Sequence, residues 1–303
     1  MRILITGANG LLGQKLVQQL GMLPNHEVIA TGTGAARVTL PGNTRWRTLD
    51  VTDGDQVAQA ISEERPEAVI HTAAMTNVDQ CETDREGCQS LNVDAVAHLA
   101  QACADTGSYL LHLSTDFIFD GAAGPYDEAA TPNPVSIYGH AKLEAERVVM
   151  AQPGLRWGIG RTILVYGIAQ DMSRSNIILW VKSSLEAGKR IQVVDDQWRT
   201  PTLAEDLADG CLRMALQQAE GIFNLGGPDL LTPYDMALAT AQYFGLNASL
   251  IERVDGTRFT QPAKRPPRTG LVIDKARTQL GYAPRTFAEG IAVLAGQMER
   301  QVA

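Results

Sequence analysis

The chain has 303 residues, of which 45% are hydrophobic and 20% charged, and its formal net charge is −8. This balance is typical of a globular protein and excludes a long disordered tail. At roughly 150 residues per domain, the length predicts one large or two modest domains. The negative charge disfavours a general attraction to nucleic acid or to anionic membranes, so we expect neither as a partner.

The cysteines, histidines and N-terminus indicate where the protein works. Cys81, Cys88, Cys103 and Cys211 lack a C-x-x-C spacing and are too sparse for a disulfide scaffold, which favours reduced thiols. The five histidines follow no metal-binding motif, so no metal site is predicted. The N-terminus lacks the apolar stretch of a signal peptide, and no segment suits a membrane span. We therefore expect a soluble, cytoplasmic protein.

Strands and helices alternate along the first half of the chain. Residues 2–6 form a short β-branched and aliphatic run, and Leu12, Leu16 and Leu20 follow at helical spacing. Later elements are predicted as strands 26–31 and 45–51, helix 55–64, strand 68–72, a loop over 79–85, an amphipathic segment around Leu91 to Ala100, strand 109–113, a helix from near Tyr138 and strand 159–165. This alternation predicts an α/β fold with a Rossmann-type, doubly wound parallel sheet.

Beyond Tyr166 the alternation weakens, and glycine, proline and arginine become more frequent. This change predicts a smaller, discontinuous second lobe. We expect residues 1–165 and about 202–226 to form an NAD(P)-binding Rossmann domain, and about 166–201 and 227–303 to form a substrate-binding lobe.

The turn after the first strand carries glycines at spacings of three, where a backbone must turn sharply and approach a pyrophosphate. Because the turn lies between a predicted strand and a predicted helix, it has the context that a dinucleotide site requires. The predicted cofactor-binding residues of this turn are Gly7, Asn9, Gly10, Leu11, Leu12 and Gly13.

The end of the second predicted strand favours one nicotinamide cofactor over the other. NAD sites commonly place a carboxylate there for the ribose hydroxyl, whereas this stretch has none and offers Thr33 and Arg37 to a 2′-phosphate. We therefore expect NADPH, with NADH as the alternative. Asp50 and Val51 follow the third strand and are predicted to meet the adenine, although Asp50 could equally cap the next helix.

A second constellation combines Thr115 at a strand end with Tyr138 and Lys142 on a helix. One helical turn separates Tyr138 from Lys142, so both side chains share a face. A cation at about 5 Å would stabilise the phenolate and lower the pKa of Tyr138 towards neutrality. Such a phenol can give a proton to a carbonyl oxygen while a hydroxyl such as that of Thr115 holds that oxygen.

These residues together resemble the extended short-chain dehydrogenase/reductases, and most closely the dTDP-4-dehydrorhamnose reductases. The resemblance covers nearly the whole chain and rests on four further motifs, at residues 71–79, 114–121, 161–167 and 196–202. It implies a catalytic trio of Thr115, Tyr138 and Lys142, the last also binding the nicotinamide ribose. It further implies cofactor contacts from Thr72, Ala73, Ala74, Tyr138 and Lys142, and substrate contacts from Thr76, Asp116, Arg199 and Arg265.

The resemblance implies an oxidoreductase that uses NADPH to reduce the 4-keto group of a nucleotide-linked deoxy-sugar, as in dTDP-L-rhamnose biosynthesis, and a homodimer is plausible. Leu164 and Phe117 replace the family's usual Trp and Tyr, which affects sugar fit and not hydride chemistry. The alternatives are an epimerase or dehydratase of the same fold, and a non-catalytic regulatory subunit like that of methionine adenosyltransferase. Asn92 matches a family position, although a helical asparagine is more often polar surface.

Overall fold

Seven strands form one parallel sheet within residues 1–170, 175–259 and 261–302, which are the residues that the computed structural model describes. In sheet order the strands are β10 (Gly221–Asn224), β6 (Arg156–Thr162), β5 (Tyr109–Thr115), β4 (Ala68–His71), β1 (Arg2–Thr6), β2 (Glu27–Gly32) and β3 (Thr44–Thr48). The order reverses between β1 and β4, and ligands bind at such a switch point in open α/β sheets. The Rossmann-type fold is therefore confirmed.

Eleven helices accompany the sheet in the described part of the chain. They are α1 (Leu11–Gly21), α2 (Gly54–Glu64), α3 (Val78–Thr83), α4 (Arg85–Gln89), α5 (Ala95–Thr106), α6 (Ile137–Ala151), α7 (Ile177–Glu186), α8 (Ala204–Gln217), α9 (Pro233–Tyr243), α10 (Asp274–Leu280) and α11 (Phe287–Val302). None of these described helices has the length and apolar character needed to cross a membrane.

The two faces of the sheet bury alternate residues of each strand, as a sheet covered on both sides requires. Ile3 and Ile5 pack with α1 and α8 on one face, whereas Leu4 packs with α2, α5 and α6 on the other. Burial on both faces explains why β1, β4 and β5 are apolar almost without interruption.

Two smaller parallel pairs lie outside the main sheet in the described residues. They are β7 (Val165–Tyr166) with β9 (Thr202–Leu203), and β8 (Ile191–Val194) with β11 (Ile251–Val254). Apolar side chains of α7, α9 and α11 gather around these pairs in two further clusters. The division of the chain into two domains stays a prediction.

Three element predictions are wrong. The expected strand 45–51 ends at Thr48, because the chain turns at Asp50, whose oxygen accepts from the Asp53 backbone at 3.2 Å. The expected loop over 79–85 is mostly helix, because Asn77 caps α3 by accepting a hydrogen bond from the Gln80 backbone and Asp84 caps α4. The expected strand 159–165 ends at Thr162, because Leu164 has a φ of 39°, which no strand residue adopts.

Candidate active site

The glycine turn, residues 7–13, connects β1 to α1 at the switch point. Gly7 has a φ of 67°, and a Cβ on it would lie 2.7 Å from the Ala73 backbone nitrogen. A Cβ on Gly13 would lie 2.3 Å from the Gly7 oxygen, and Gly10 begins α1 without a side-chain cap. Leu11 and Leu12 supply the first turn of the helix. The turn therefore presents uncapped amides behind a surface clear of side chains, which fits a dinucleotide pyrophosphate.

Asn9 organises the loop where the cofactor's 2′-substituent is expected. Its amide nitrogen donates to the Ala35 oxygen at 3.0 Å, and its side-chain oxygen accepts from the Arg37 backbone nitrogen at 2.8 Å. Thr33 and Arg37 are both exposed in this loop. A threonine hydroxyl and a guanidinium at such a place suit a phosphate, and residues 33–37 include no carboxylate.

Asp50 does not cap the next helix. The cap of α2 is Asp53, which accepts from the Gln56 backbone at 3.0 Å, whereas Asp50 accepts from the Thr52 backbone and hydroxyl at 2.9 and 2.7 Å. That interpretation of Asp50 is therefore wrong, because the helix begins three residues later. Val51 is buried beside it.

The loop after β4 lies against the glycine turn. Thr72 donates to the Thr6 oxygen at 2.6 Å, and Ala73 abuts Gly7. Ala74 and Thr76 continue this loop towards α3.

Asn92 holds the loop after β4 in place; the sequence left open whether it matches a family site position or is polar surface. Asn92 is buried in a π-helical turn, Ser90–Asp94, and its amide accepts from the Met75 nitrogen at 2.9 Å and donates to the Met75 oxygen at 3.0 Å. The surface interpretation is wrong, because the i-to-i+5 turn directs this side chain inward.

Thr115, Tyr138 and Lys142 meet at the carboxyl end of β5, and all three are buried. The Ser136 hydroxyl caps α6, which begins at Ile137, one residue before Tyr138. The Thr115 hydroxyl donates to Asp116 at 3.2 Å and accepts from the Phe117 backbone at 3.3 Å. The expected common face of Tyr138 and Lys142 thus lies beside the strand end that carries Thr115.

The expected lowering of the Tyr138 pKa is not found. Burial raises the pKa of Tyr138 well above its ordinary value, and a hydrogen bond with Thr115 offsets only part of that rise. The Lys142 ammonium instead donates to the Leu113 oxygen at 2.6 Å. Tyr138 therefore remains a neutral phenol, which is a proton donor and not a base.

Asp116 and Arg199 face each other in the interior beside Thr115. Arg199 Nε lies 4.0 Å from Asp116 Oδ2, and Thr269 donates a short hydrogen bond to the same carboxylate. Burial raises the pKa of Asp116 against the pull of Arg199. Arg199 also donates to the carbonyl oxygens of residues 198, 266 and 267. Its guanidinium is thus engaged by protein groups, and Thr269 is a neighbour that the sequence did not indicate.

The strip that carries Arg199 is formed by residues 198–200 crossing residues 263–271. Trp198 donates from its backbone to the Pro267 oxygen at 2.7 Å, and Arg268 stacks over the half-exposed Trp198 ring, 5.7 Å from its centroid. We call these two segments the crossing strip. The crossing strip thus places the Trp198 ring next to Arg199 and the Arg268 guanidinium next to Thr269, the two strip residues that contact Asp116.

Arg265 in the crossing strip makes a two-pronged ion pair with Asp79 of α3, at 2.8 and 2.7 Å. Asp79 also accepts from the Ala263 backbone at 3.1 Å. The hydrogen bonds from Arg265 hold the pKa of Asp79 below its ordinary value. Arg265 therefore ties the crossing strip to α3, and no sequence pattern indicates this pairing because the partners are far apart in the chain.

The family model of the RmlD substrate-binding domain matches residues 1–300. The chain belongs to this family. The resemblance inferred from the motifs is thereby confirmed at the level of the RmlD family.

Two relatives are similar over nearly the full chain. The chain is 32% identical over 297 residues to the probable low-salt glycan biosynthesis reductase Agl14 of Haloferax volcanii, covering 97% of each. It is 30% identical over 296 residues to methionine adenosyltransferase 2 subunit beta of Bos taurus, covering 96% of this chain and 86% of that protein.

Two solved structures share the RmlD-family fold. The dTDP-4-dehydrorhamnose reductase of Clostridium acetobutylicum superposes with a TM-score of 0.86 at 29% identity, covering 99% of this chain and 100% of that one. The dTDP-4-dehydrorhamnose reductase of Bacillus anthracis, solved in complex with NADP, superposes with a TM-score of 0.83 at 26% identity, covering 98% and 99%.

Proposed function

We propose that this chain is an NADPH-dependent oxidoreductase that reduces the 4-keto group of a nucleotide-linked deoxy-sugar. The observation that carries the proposal is the neutral, buried Tyr138 beside Thr115, at the same sheet edge as the glycine turn. The reductase relatives and the superposed dTDP-4-dehydrorhamnose reductases support the substrate class. In its most specific form, the proposal assigns this reduction to dTDP-L-rhamnose biosynthesis.

Each member of the trio has a separate task in this proposal. Bound NADPH would supply the hydride. Tyr138 gives its proton to the ketone oxygen, for which a phenol of raised pKa is in the correct protonation state. The Thr115 hydroxyl would turn its single O–H from Asp116 to the same ketone oxygen and so fix the ketone. Lys142 places a buried positive charge near the tyrosinate that proton transfer leaves.

The choice of NADPH over NADH rests on the loop that Asn9 holds. This loop offers the Thr33 hydroxyl and the Arg37 guanidinium and includes no carboxylate that would repel a 2′-phosphate. The NADP complex of the Bacillus anthracis reductase supports this assignment. NADH is the second choice.

The proposed substrate contacts change in one respect from those expected. Thr76 remains a candidate, but Asp116, Arg199 and Arg265 already bind protein groups. The two arginines act on the substrate by holding the crossing strip in place. The exposed Arg268 and Trp198 are the better candidates for direct contact, because a diphosphate needs a cation and a base or sugar needs an apolar face. A homodimer stays a prediction.

The test is the substitution Tyr138→Phe, measured with NADPH and dTDP-4-dehydro-6-deoxy-L-mannose. Removing the donor should lower kcat by at least about a hundredfold, the usual worth of a general acid. NADPH affinity, followed by fluorescence, should change less than about twofold because the ring is kept. Wild-type protein that binds NADPH but consumes none with this sugar would overturn the reductase proposal.

A second candidate function is a regulatory subunit without turnover, which the similarity to methionine adenosyltransferase 2 subunit beta favours. This function predicts that the chain co-purifies with a synthetase and that the Tyr138→Phe variant co-purifies as wild type does. A dehydratase is less favoured, because Phe117 follows Asp116 where dehydration needs a second acid, whereas an epimerase of the same fold stays an alternative. Product analysis would reveal either reaction as sugar conversion without net NADPH consumption.

A further inference from the structure

A buried imidazole lies behind the proposed catalytic lysine. His112 on β5 is fully buried, and its Nε2 lies 3.3 Å from the Lys142 Nζ. The same ammonium donates to the Leu113 oxygen at 2.6 Å. His112 and Leu113, which are consecutive on β5, therefore accept hydrogen bonds from two of the three N–H groups of Lys142.

The protonation of His112 follows from its surroundings. Burial, and next the charge of Lys142, hold the pKa of His112 well below its ordinary value, so its ring is neutral. An ammonium can only donate, so Nε2 must accept and the ring proton must lie on Nδ1. Nδ1 is buried and has no hydrogen-bond partner among the described atoms.

The unpartnered Nδ1 argues for a role beyond filling space. A buried polar group without a partner costs free energy, and an apolar residue in the middle of a parallel strand would avoid that cost. His71 on β4 stacks on His112 with ring centroids 5.6 Å apart, but its Nδ1 is paired with the Thr6 hydroxyl at 2.7 Å. Of these two imidazoles, His112 is the one that meets Lys142.

We propose that His112 is a positioning residue, whose Nε2 lone pair and the Leu113 oxygen together orient the Lys142 ammonium so that its third N–H serves the active site. This inference rests on the proposed function. With two N–H directions fixed on β5, tetrahedral geometry fixes the third, which is the one left for Tyr138 or a bound ligand.

The position of Lys142 also makes its charge sensitive to that acceptor. Burial lowers the pKa of Lys142 to about 8, and Glu146 opposes the change. The titratable and charged groups around the Tyr138 and Lys142 face come from several elements. They are His112 on β5, His71 on β4, Cys81 on α3, Cys88 on α4, Asp116 after β5, Glu146 on α6 and Arg161 on β6, which is paired with Glu146. Within this group, the His112 ring is the part that lies at hydrogen-bond distance from Nζ.

The first experiment is the pH profile of kcat/KM for wild type, His112→Phe and His112→Gln. Wild-type activity should fall as pH rises through about 8, because the ammonium loses its proton. His112→Phe keeps an aromatic ring but places a C–H edge at Nζ, so the midpoint should move down by about one pH unit. The loss of kcat/KM should then be about fivefold at pH 8 and approach about tenfold at pH 9. His112→Gln offers an amide oxygen and should restore the wild-type midpoint.

His71→Phe is the matched control, because it is equally buried and stacks on His112 without bonding Lys142. A purely structural role predicts that both phenylalanine variants lose stability and that neither moves the midpoint. An unshifted midpoint in His112→Phe would overturn the proposal. If His112→Phe does not fold, His112→Leu takes its place with the same expected shift.

A second measurement does not depend on turnover, and it separates this inference from the proposed function. A folded-state pKa near 8, below the ordinary 10.5, means that the unfolded chain binds more protons between these values, so the free energy of unfolding should rise with pH there. Urea unfolding of wild type minus Lys142→Met isolates that rise. The same difference is then measured in the His112→Phe background, between His112→Phe and the double variant His112→Phe/Lys142→Met. There the rise in the free energy of unfolding should begin at lower pH.

The two measurements distinguish the His112 inference from the reductase proposal. If the free energy of unfolding rises from a lower pH in the His112→Phe background but no NADPH-dependent turnover is found, the His112 inference stands and the reductase proposal is rejected. Turnover with an unshifted rise and an unshifted midpoint would keep the reductase and reject His112 as the positioning residue.

Discussion

The glycine turn and the crossing strip border the same site but are built by opposite means. The glycine turn is continuous in sequence, and its shape comes from what is missing, since Gly7 and Gly13 leave no room for a side chain. The crossing strip joins residues 198–200 to residues 263–271 and is fixed by added side chains, notably Arg199 and Arg265. One region can thus be damaged by adding an atom, and the other by removing an interaction.

The largest effect should follow from adding one methyl group in the glycine turn. Gly7→Ala combines a φ of 67° with a Cβ only 2.7 Å from the Ala73 backbone, which should cost about 3 kcal/mol in the free energy of unfolding. NADPH affinity should fall at least about tenfold, as the loop after β4 is pushed aside. Urea unfolding and fluorescence titration measure the two effects.

Gly107→Ala is the control for the Gly7 substitution, because it has a φ of 73° with nothing within 4 Å of the added Cβ. It should cost only about 1 kcal/mol, the strain of the left-handed conformation. Equal losses for Gly7 and Gly107 would show that backbone strain alone, and not close approach to Ala73, constrains the turn.

Two buried asparagines, one in each region, allow the regions to be compared with the same substitution. Asn92 holds Met75 beside the glycine turn, whereas Asn224 donates to the Tyr126 and Val272 oxygens at 3.0 Å next to the crossing strip. Each alanine variant should lose about 2 kcal/mol of stability. Asn92→Ala should weaken NADPH binding, and Asn224→Ala should raise the KM for the sugar only. If both variants changed NADPH affinity and the KM for the sugar alike, the two regions would not bind separate ligands.

The smallest effect concerns the partly exposed Asp79 and Arg265 pair. A double-mutant cycle to alanine should give a coupling of about 1 kcal/mol, since solvent screens the pair. If Arg265 acts by holding the crossing strip, Asp79→Ala and Arg265→Ala should raise the KM alike. A normal KM in Asp79→Ala with a raised KM in Arg265→Ala would instead mean that Arg265 contacts the substrate directly.

The sequence by itself determined the alternating elements, the glycine turn and the common helical face of Tyr138 and Lys142. These features are local, because a tight turn, a helical spacing or a strand end is set by residues a few positions apart. The motifs also led to the right family, which the match over residues 1–300 confirms.

Only the tertiary structure decided how the charges of the site are used. Arg265 finds Asp79 across 186 residues, and Asp116 finds Thr269 across 153. The pKa of Tyr138 rises where helical spacing to Lys142 predicted a fall, because the effect of burial outweighs that of the hydrogen bond with Thr115. Desolvation and long-range pairing depend on which segments the fold brings together, and no spacing within the chain contains that information.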